Sequence, residues 1–326
     1  MRKRVLVIGS GRRATRAILP ALRCLSDDYE LAAVYSRSAK TLSLLQGEVE
    51  VRAIASLERA AFADVELVMV AVATNAVPAV LDVLCRHDTR HLILMLDTPV
   101  LRIRDLRAWR FFTRFRRVVV SEDTIALPPF VLARRLVDEG RIGGVKHVYF
   151  FHNGFRYHGV AGLRMLAGRS PVRRMLCRRY ADGRAVKEAW FENGVHALMV
   201  EPVDYAKGKF LVEGESGFVS DYDRAGENAL RIAYLVEDRV YRGLTLNGEP
   251  VAGDPLDASY GARIHADPHD TTPMSTMKVR GLMDLVVAAD RDASPFHYRP
   301  VDGMLDRFVV RAADALGVYD RRIFPW

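Results

Sequence analysis

"VLVIGSGRRATRAILPAL", Val5 to Leu22, is the stretch whose reading decides the fold. Val5 to Ile8 is an unbroken apolar run of strand length, a glycine turn follows, and Ile18, Leu19 and Leu22 then recur at helical spacing. Gly9, Gly11 and Ala14 fall on the G-x-G-x-x-G/A pattern. The first glycine permits a tight turn, the second lets backbone approach a pyrophosphate, and the third position must be small where helix meets strand. A phosphate there meets unpaired N–H groups and the positive end of the helix dipole. Arg12 and Arg13 add charge beside it. An ordinary glycine turn has the same residues, so the flanking sequence must decide.

The second strand, "LAAVYSRS", ends about 25 residues on, where an NAD enzyme carries an acid for the ribose hydroxyl. Ser36 and Arg37 stand there instead. A carboxylate repels a 2′-phosphate, whereas a hydroxyl and a guanidinium bind one, so NADP(H) is expected in preference to NAD(H). The plain alternative for Arg37 is a solvated loop arginine. Beyond it come "VRAI" and "ELVMVAV" as strands, "VPAVLDVLCRH" as a helix, "HLILML" as a strand, "RIRDLRAWRF" as a helix and "RRVVV" as a strand. This βα alternation predicts an α/β fold with a doubly wound parallel sheet of the Rossmann type over residues 1–123. Its ligand rim is the carboxyl ends of the strands. That places Thr74 and Asn75 of "AVATNA", Asp97 and Thr98 of "LDTP", and Glu122 of "VSEDT" beside the glycine turn.

The bulk properties narrow the setting. The 326 residues are half hydrophobic, with no apolar run near the ~20 needed to span a bilayer, so no membrane partner is expected. The opening "MRKRVLVIGSGRR" falls short of the ~7–15 apolar residues of a signal peptide, which predicts a cytoplasmic protein. The net charge of +8 comes from arginines spread along the chain without an aromatic-interleaved basic module, so no nucleic-acid partner is expected. Cys24, Cys85 and Cys177 have no paired spacing, as suits reduced thiols. "HADPHD", His265 to Asp270, resembles a metal cluster, but Pro268 and the loop composition favour chance, and no metal is predicted. "VRRMLCRR" reads as a basic helix segment with a solvated face. His196, in "ENGVHAL", reads as structural or dimer-facing, and the side taken by His152 is left open.

Taken in order, "VLVIGSGRRA", "VAVATNAVPAV", "ILMLDTPV", "VVVSEDTIALPPFVLARRLVDEGRIGGVKHV", "HGVAGLRMLAG", "EAWFENGVHAL" and "KFLVEGESGFVSD" resemble the Gfo/Idh/MocA oxidoreductases over nearly the full chain. Those enzymes include sugar and inositol dehydrogenases and biliverdin reductase. The resemblance implies a second, α+β domain over residues 124–326 with a large, mostly antiparallel open sheet. It needs no metal. Open apolar sheet faces usually pair with a copy of themselves, so a homo-oligomer, dimer or tetramer, is expected through that sheet.

The departures from the family pattern are informative. "LDTP" stands where typical members carry Glu-Lys-Pro, so Asp97 shortens the acid and Thr98 replaces the lysine that binds the reacting hydroxyl. Threonine keeps a donor and an acceptor but loses the charge. After Glu122, the usual Asn-Tyr-Arg-Phe becomes Asp123, Thr124, Ile125 and Ala126. The helix that usually reads Asp-x-Gly-x-His-x-x-Asp keeps His158 and has Gly154 and Ala161 in place of its acids. These exchanges imply a small, weakly polar or conjugated substrate reduced at a C=N, C=C or C=O bond. The resemblance implies that His158, or Tyr157 beside it, supplies the proton, with Thr98 and Asp97 flanking the reaction. Two alternatives stay open: an NADP-dependent alcohol or sugar dehydrogenase, and a non-catalytic dinucleotide-binding regulator.

Overall fold

The computed structural model describes residues 2–44, 47–62, 64–204, 206–222, 228–237, 240–251, 273–291 and 298–324. The chain divides into two compact units, the first holding residues 1–122 and the second beginning at Asp123. The expected second domain ran unbroken to residue 326. Instead, the described residues 273–291 and 298–304 group with the first unit.

The first unit is built on β1 (Lys3–Ile8), β2 (Tyr29–Ser36), β3 (Lys40–Leu44), β4 (Gly47–Ala53), β5 (Val65–Val70), β6 (Ile93–Asp97) and β7 (Arg117–Ser121). Among the described residues they form one sheet in the order β3-β4-β2-β1-β5-β6-β7. Val5, Leu6 and Val7 are fully buried, as a central parallel strand covered on both faces requires. The order reverses beside β1, with β2 on one side and β5 on the other. Ligands of such sheets bind in the crevice at that switch point.

Two expectations are corrected here. The alternation breaks at residues 40–53, where β3 and β4 form an antiparallel hairpin at the sheet edge. Leu42 pairs with Val49 and Thr41 with Glu50, so each strand alternates polar and apolar at the period of two that suits one covered face. "RIRDLRAWRF" lies in a 3-10 run, Ile103–Arg114, rather than an α-helix.

The helix after the glycine turn opens as a π-helix, Ala14–Ile18, before α1 (Leu19–Cys24). Leu19 donates its N–H to Ala14 O, five residues back. Pro20 explains the widening, since it has no N–H to continue the α-pattern. α2 (Val77–Leu84) follows β5, with Val77, Val80, Leu81 and Leu84 turned to the core.

In the second unit, α3 (Pro128–Asp138) and α4 (Arg156–Leu166) lie against a ten-stranded sheet of the described residues. Its strands are β8 (Val145–Phe151), β9 (Val172–Arg179), β10 (Ala185–Phe191), β11 (His196–Glu201), β12 (Lys209–Gly214), β13 (Phe218–Ser220), β14 (Ala229–Glu237), β15 (Val240–Leu246), β16 (Glu249–Pro250) and β17 (Val318–Asp320). "VRRMLCRR" is therefore strand β9, with Met175 inward and its arginines outward, not a helix. Only the β8–β11 and β13–β14 pairs are parallel. Val148, Phe150, Ala197, Met199 and Phe210 are buried on the helix face. Tyr149, Phe151, Trp190, Leu198, Val200 and Leu211 alternate with these on the half-buried opposite face. α5 (Pro273–Arg291) returns to the first unit, packing on α1, β6 and β7, and α6 (Pro300–Leu316) follows. No helix among the described residues is long and apolar enough to cross a membrane.

Candidate active site

In the first unit the glycine turn meets its geometric requirements. Gly9 has φ +126°, and a Cβ there would collide with the Ala71 carbonyl oxygen. Its N–H donates to Tyr35 O at 2.7 Å, tying the turn to β2. A Cβ on Gly11 would meet nothing within 4 Å. The chain itself therefore requires glycine at position 9, whereas at position 11 the space lies open at the crevice. Ala14 is fully buried, as the helix–strand contact demands.

Around this turn stand the other rim residues. Arg12 is exposed. Ser36 ends β2 and donates to Ser38 O at 2.7 Å, and Arg37 beyond it is exposed. Thr74 is half-buried and Asn75 exposed, in the turn between β5 and α2. Asp97 closes β6, Thr98 follows half-buried, and Glu122 is fully buried just past β7.

Arg13 differs from its expected role beside a phosphate. Its Nε donates to Asp97 Oδ1 at 3.1 Å and its Nη2 to Ser121 Oγ at 3.1 Å. The guanidinium thus bridges the ends of β6 and β7 rather than lying only along the turn. Sequence reasoning missed Ser121, whose signal was its place as the last residue of a rim strand. A cation therefore reaches the end of β6, beside Thr98.

In the second unit, Tyr157 and His158 occupy the first turn of α4, their ring centroids 4.2 Å apart. A carboxylate oxygen of Asp123 lies within 4.8 Å of a ring nitrogen of His158. Asp123 was not singled out from sequence, because its partner is 35 residues away in the chain. The first helical N–H, that of Arg156, donates to Glu201 Oε1, and Glu201 pairs in turn with buried Lys187. A carboxylate at a helix N-terminus satisfies an orphan donor and complements the dipole.

The same packing explains why positions 154 and 161 carry small residues. A Cβ on Gly159 would collide with Met199 Sδ, and one on Gly154 would crowd Met199 and Phe150. α4 lies so close to β8 and β11 that position 154 has no room for an aspartate. Ala161 is buried at 1% exposure, where an unpaired carboxylate would be unfavourable.

His152 and His196 each have a local partner. A ring nitrogen of His152 lies 2.7 Å from Pro202 O. His196 sits on the open sheet face, with Nε2 2.9 Å from Glu188 Oε1. "HADPHD" lies outside the described residues.

By sequence, no family model and no curated protein matches the chain. Solved structures match it over nearly its whole length. An oxidoreductase from Agrobacterium radiobacter, solved with NAD+, L-tartaric acid and magnesium, is 13% identical, with TM-score 0.66 over 99% of this chain and 100% of that one. An NAD-binding oxidoreductase from Klebsiella pneumoniae is 12% identical, with TM-score 0.63 over 96% of each chain. Myo-inositol 2-dehydrogenase from Lactobacillus plantarum is 13% identical, with TM-score 0.61 over 98% and 99%. The chain has the fold of the Gfo/Idh/MocA-type oxidoreductases.

Proposed function

We propose that the chain is an NADP(H)-dependent oxidoreductase that reduces a C=N, C=C or C=O bond of a small, weakly polar or conjugated substrate. The observation that carries this reading is the turn at Gly9 and Gly11, tight where the chain needs it and open where a pyrophosphate would approach. The NAD-binding neighbours support dinucleotide use. The NADP preference rests on Ser36 and Arg37.

A bound dinucleotide supplies the hydride. The chain's residues bind, orient and protonate. Gly11 and the following N–H groups receive the pyrophosphate, with Arg12 adding charge, and Ser36 and Arg37 receive the 2′-phosphate. Thr74, Asn75 and Glu122 border the crevice. Asp97 pairs with Arg13 and orients its guanidinium. Thr98 offers a neutral hydrogen-bonding group, which suits an uncharged acceptor better than a hydroxyl awaiting deprotonation. His158 delivers the proton, with an Asp123 carboxylate oxygen within 4.8 Å of a ring nitrogen. Tyr157 is the second donor. The half-buried apolar face of the second sheet pairs with another copy of the chain, a state that light scattering reads directly.

The test titrates NADPH and NADH by fluorescence and follows NADPH consumption across a panel of imines, enones and ketones. Tighter NADPH binding with turnover of one class is expected. Absence of binding by either dinucleotide overturns the reading, and tight binding without turnover transfers it to the regulator.

A further inference from the structure

Residues 102–117 hold seven arginines against one acid, Asp105, a net +6 within a chain of net +8. The reading of arginine as spread along the chain is thereby corrected, and aromatic residues interleave this run. The 3-10 helix Ile103–Arg114 has about three residues per turn, so side chains three apart eclipse in straight rows. Ile103, Leu106 and Trp109 make one row, exposed at 38%, 39% and 37%. Arg104, Arg107 and Arg110 make the next row, all exposed. The third row turns inward through buried Ala108, and Asp105 in that row is tied to Arg102. The sequence repeats every third residue, and the backbone has taken the helix whose period matches.

We propose that this ridge docks on an anionic lipid surface, with the apolar row at headgroup depth and the arginine row among the headgroups. Charge complementarity requires an anionic partner, and the aliphatic row requires one with an apolar layer beneath the charge. Ile103 and Leu106 offer no hydrogen bond to a nucleic-acid base edge, whereas tryptophan beside arginine suits the headgroup boundary. Two outward rows of a rod make a convex ridge, which fits a deformable lipid surface better than the groove a partner helix would need. The expectation of no membrane partner rested on the missing spanning run, which does not bear on a peripheral contact.

The test sediments the full chain with vesicles of phosphatidylcholine, alone or with roughly a third phosphatidylglycerol, at about 50 and about 300 mM salt. Binding to the anionic vesicles alone is expected, weakening as salt rises. Each arginine near such a surface contributes about fivefold in partition, so the triple variant Arg104→Glu/Arg107→Glu/Arg110→Glu should lose at least roughly a hundredfold. In a Trp190→Phe/Trp326→Phe background, Trp109 emission should shift to the blue on binding. Failure of the wild type to bind anionic vesicles at low salt overturns the proposal. So does undiminished binding by a triple variant that melts like the wild type. Tighter binding of a duplex oligonucleotide, with Trp109 emission unmoved by vesicles, overturns it in favour of nucleic acid.

Discussion

Arg13 Nε lies 3.1 Å from Asp97 Oδ1, with the two side chains only 21% and 23% exposed. The pair joins the glycine-turn helix to the end of β6 across 84 positions of sequence. Removing one partner of a charge pair this sheltered leaves the other charge poorly solvated. Asp97→Asn and Arg13→Met should each lower unfolding free energy by about 1–3 kcal/mol. The double variant should lose less than the sum, as a urea double-mutant cycle reads. Additive losses would mean that the two side chains do not act as a pair.

The two glycines of the turn should respond oppositely. Gly9→Ala forces a Cβ into the Ala71 carbonyl at a backbone angle that L-residues avoid, and should destabilise the chain by about 3 kcal/mol or more. Gly11→Val meets open space, so its melting point should stay near wild type while dinucleotide affinity disappears. Retained affinity in Gly11→Val would remove the turn from cofactor binding.

Arg37→Ala should weaken NADPH binding roughly 10- to 150-fold, the range for losing charge-assisted hydrogen bonds of about 1.5–3 kcal/mol, and leave NADH binding unchanged. Equal NADPH and NADH affinities in the wild type would end the assignment of Arg37.

His158→Ala should lower kcat by about 10²–10⁴-fold on an accepted substrate, the usual contribution of a general acid. Thr98→Val should retain most of the rate, and Asp123→Asn should fall between them. A His158→Ala enzyme within a few-fold of wild type would move the proton to Tyr157.

Asp221 sets a pH dependence. Burial pushes its carboxyl up to about 6, against the Phe210 N–H that Oδ1 accepts at 2.7 Å, while Oδ2 is buried without a hydrogen-bond partner. A folded value raised above the unfolded one favours folding of the protonated form. That advantage is present in full at acid pH and is lost as pH rises through the folded value near 6. Relative to Asp221→Asn, the wild type should lose about 2 kcal/mol of stability between about pH 4 and pH 8, at roughly 1.4 kcal/mol per pKa unit. Parallel stability–pH curves for the two proteins would contradict this account.

Local pattern was enough wherever one element explains itself. The apolar run Val5–Ile8, the glycine spacing after it and the β-branched run Val65–Val70 specify buried strands and a phosphate-sized turn from nearest neighbours alone. They established the parallel sheet and its ligand rim. The hairpin at residues 40–53 was legible in its period of two, although only its last stretch, "VRAI", was read as a strand.

Tertiary structure decided what depends on distance in sequence. Arg13 acquires its role only when the helix beside it brings the guanidinium to Asp97 and Ser121. His158 gains Asp123, and Gly154 proves to be required by Met199 and Phe150, because α4 settles directly on the sheet. The segment 257–304 follows the second sheet in sequence, yet its described helix α5 belongs to the first unit, where its apolar side meets α1 and the strands β6 and β7. Periodicity states which residues share a face; only the packed chain states what that face meets.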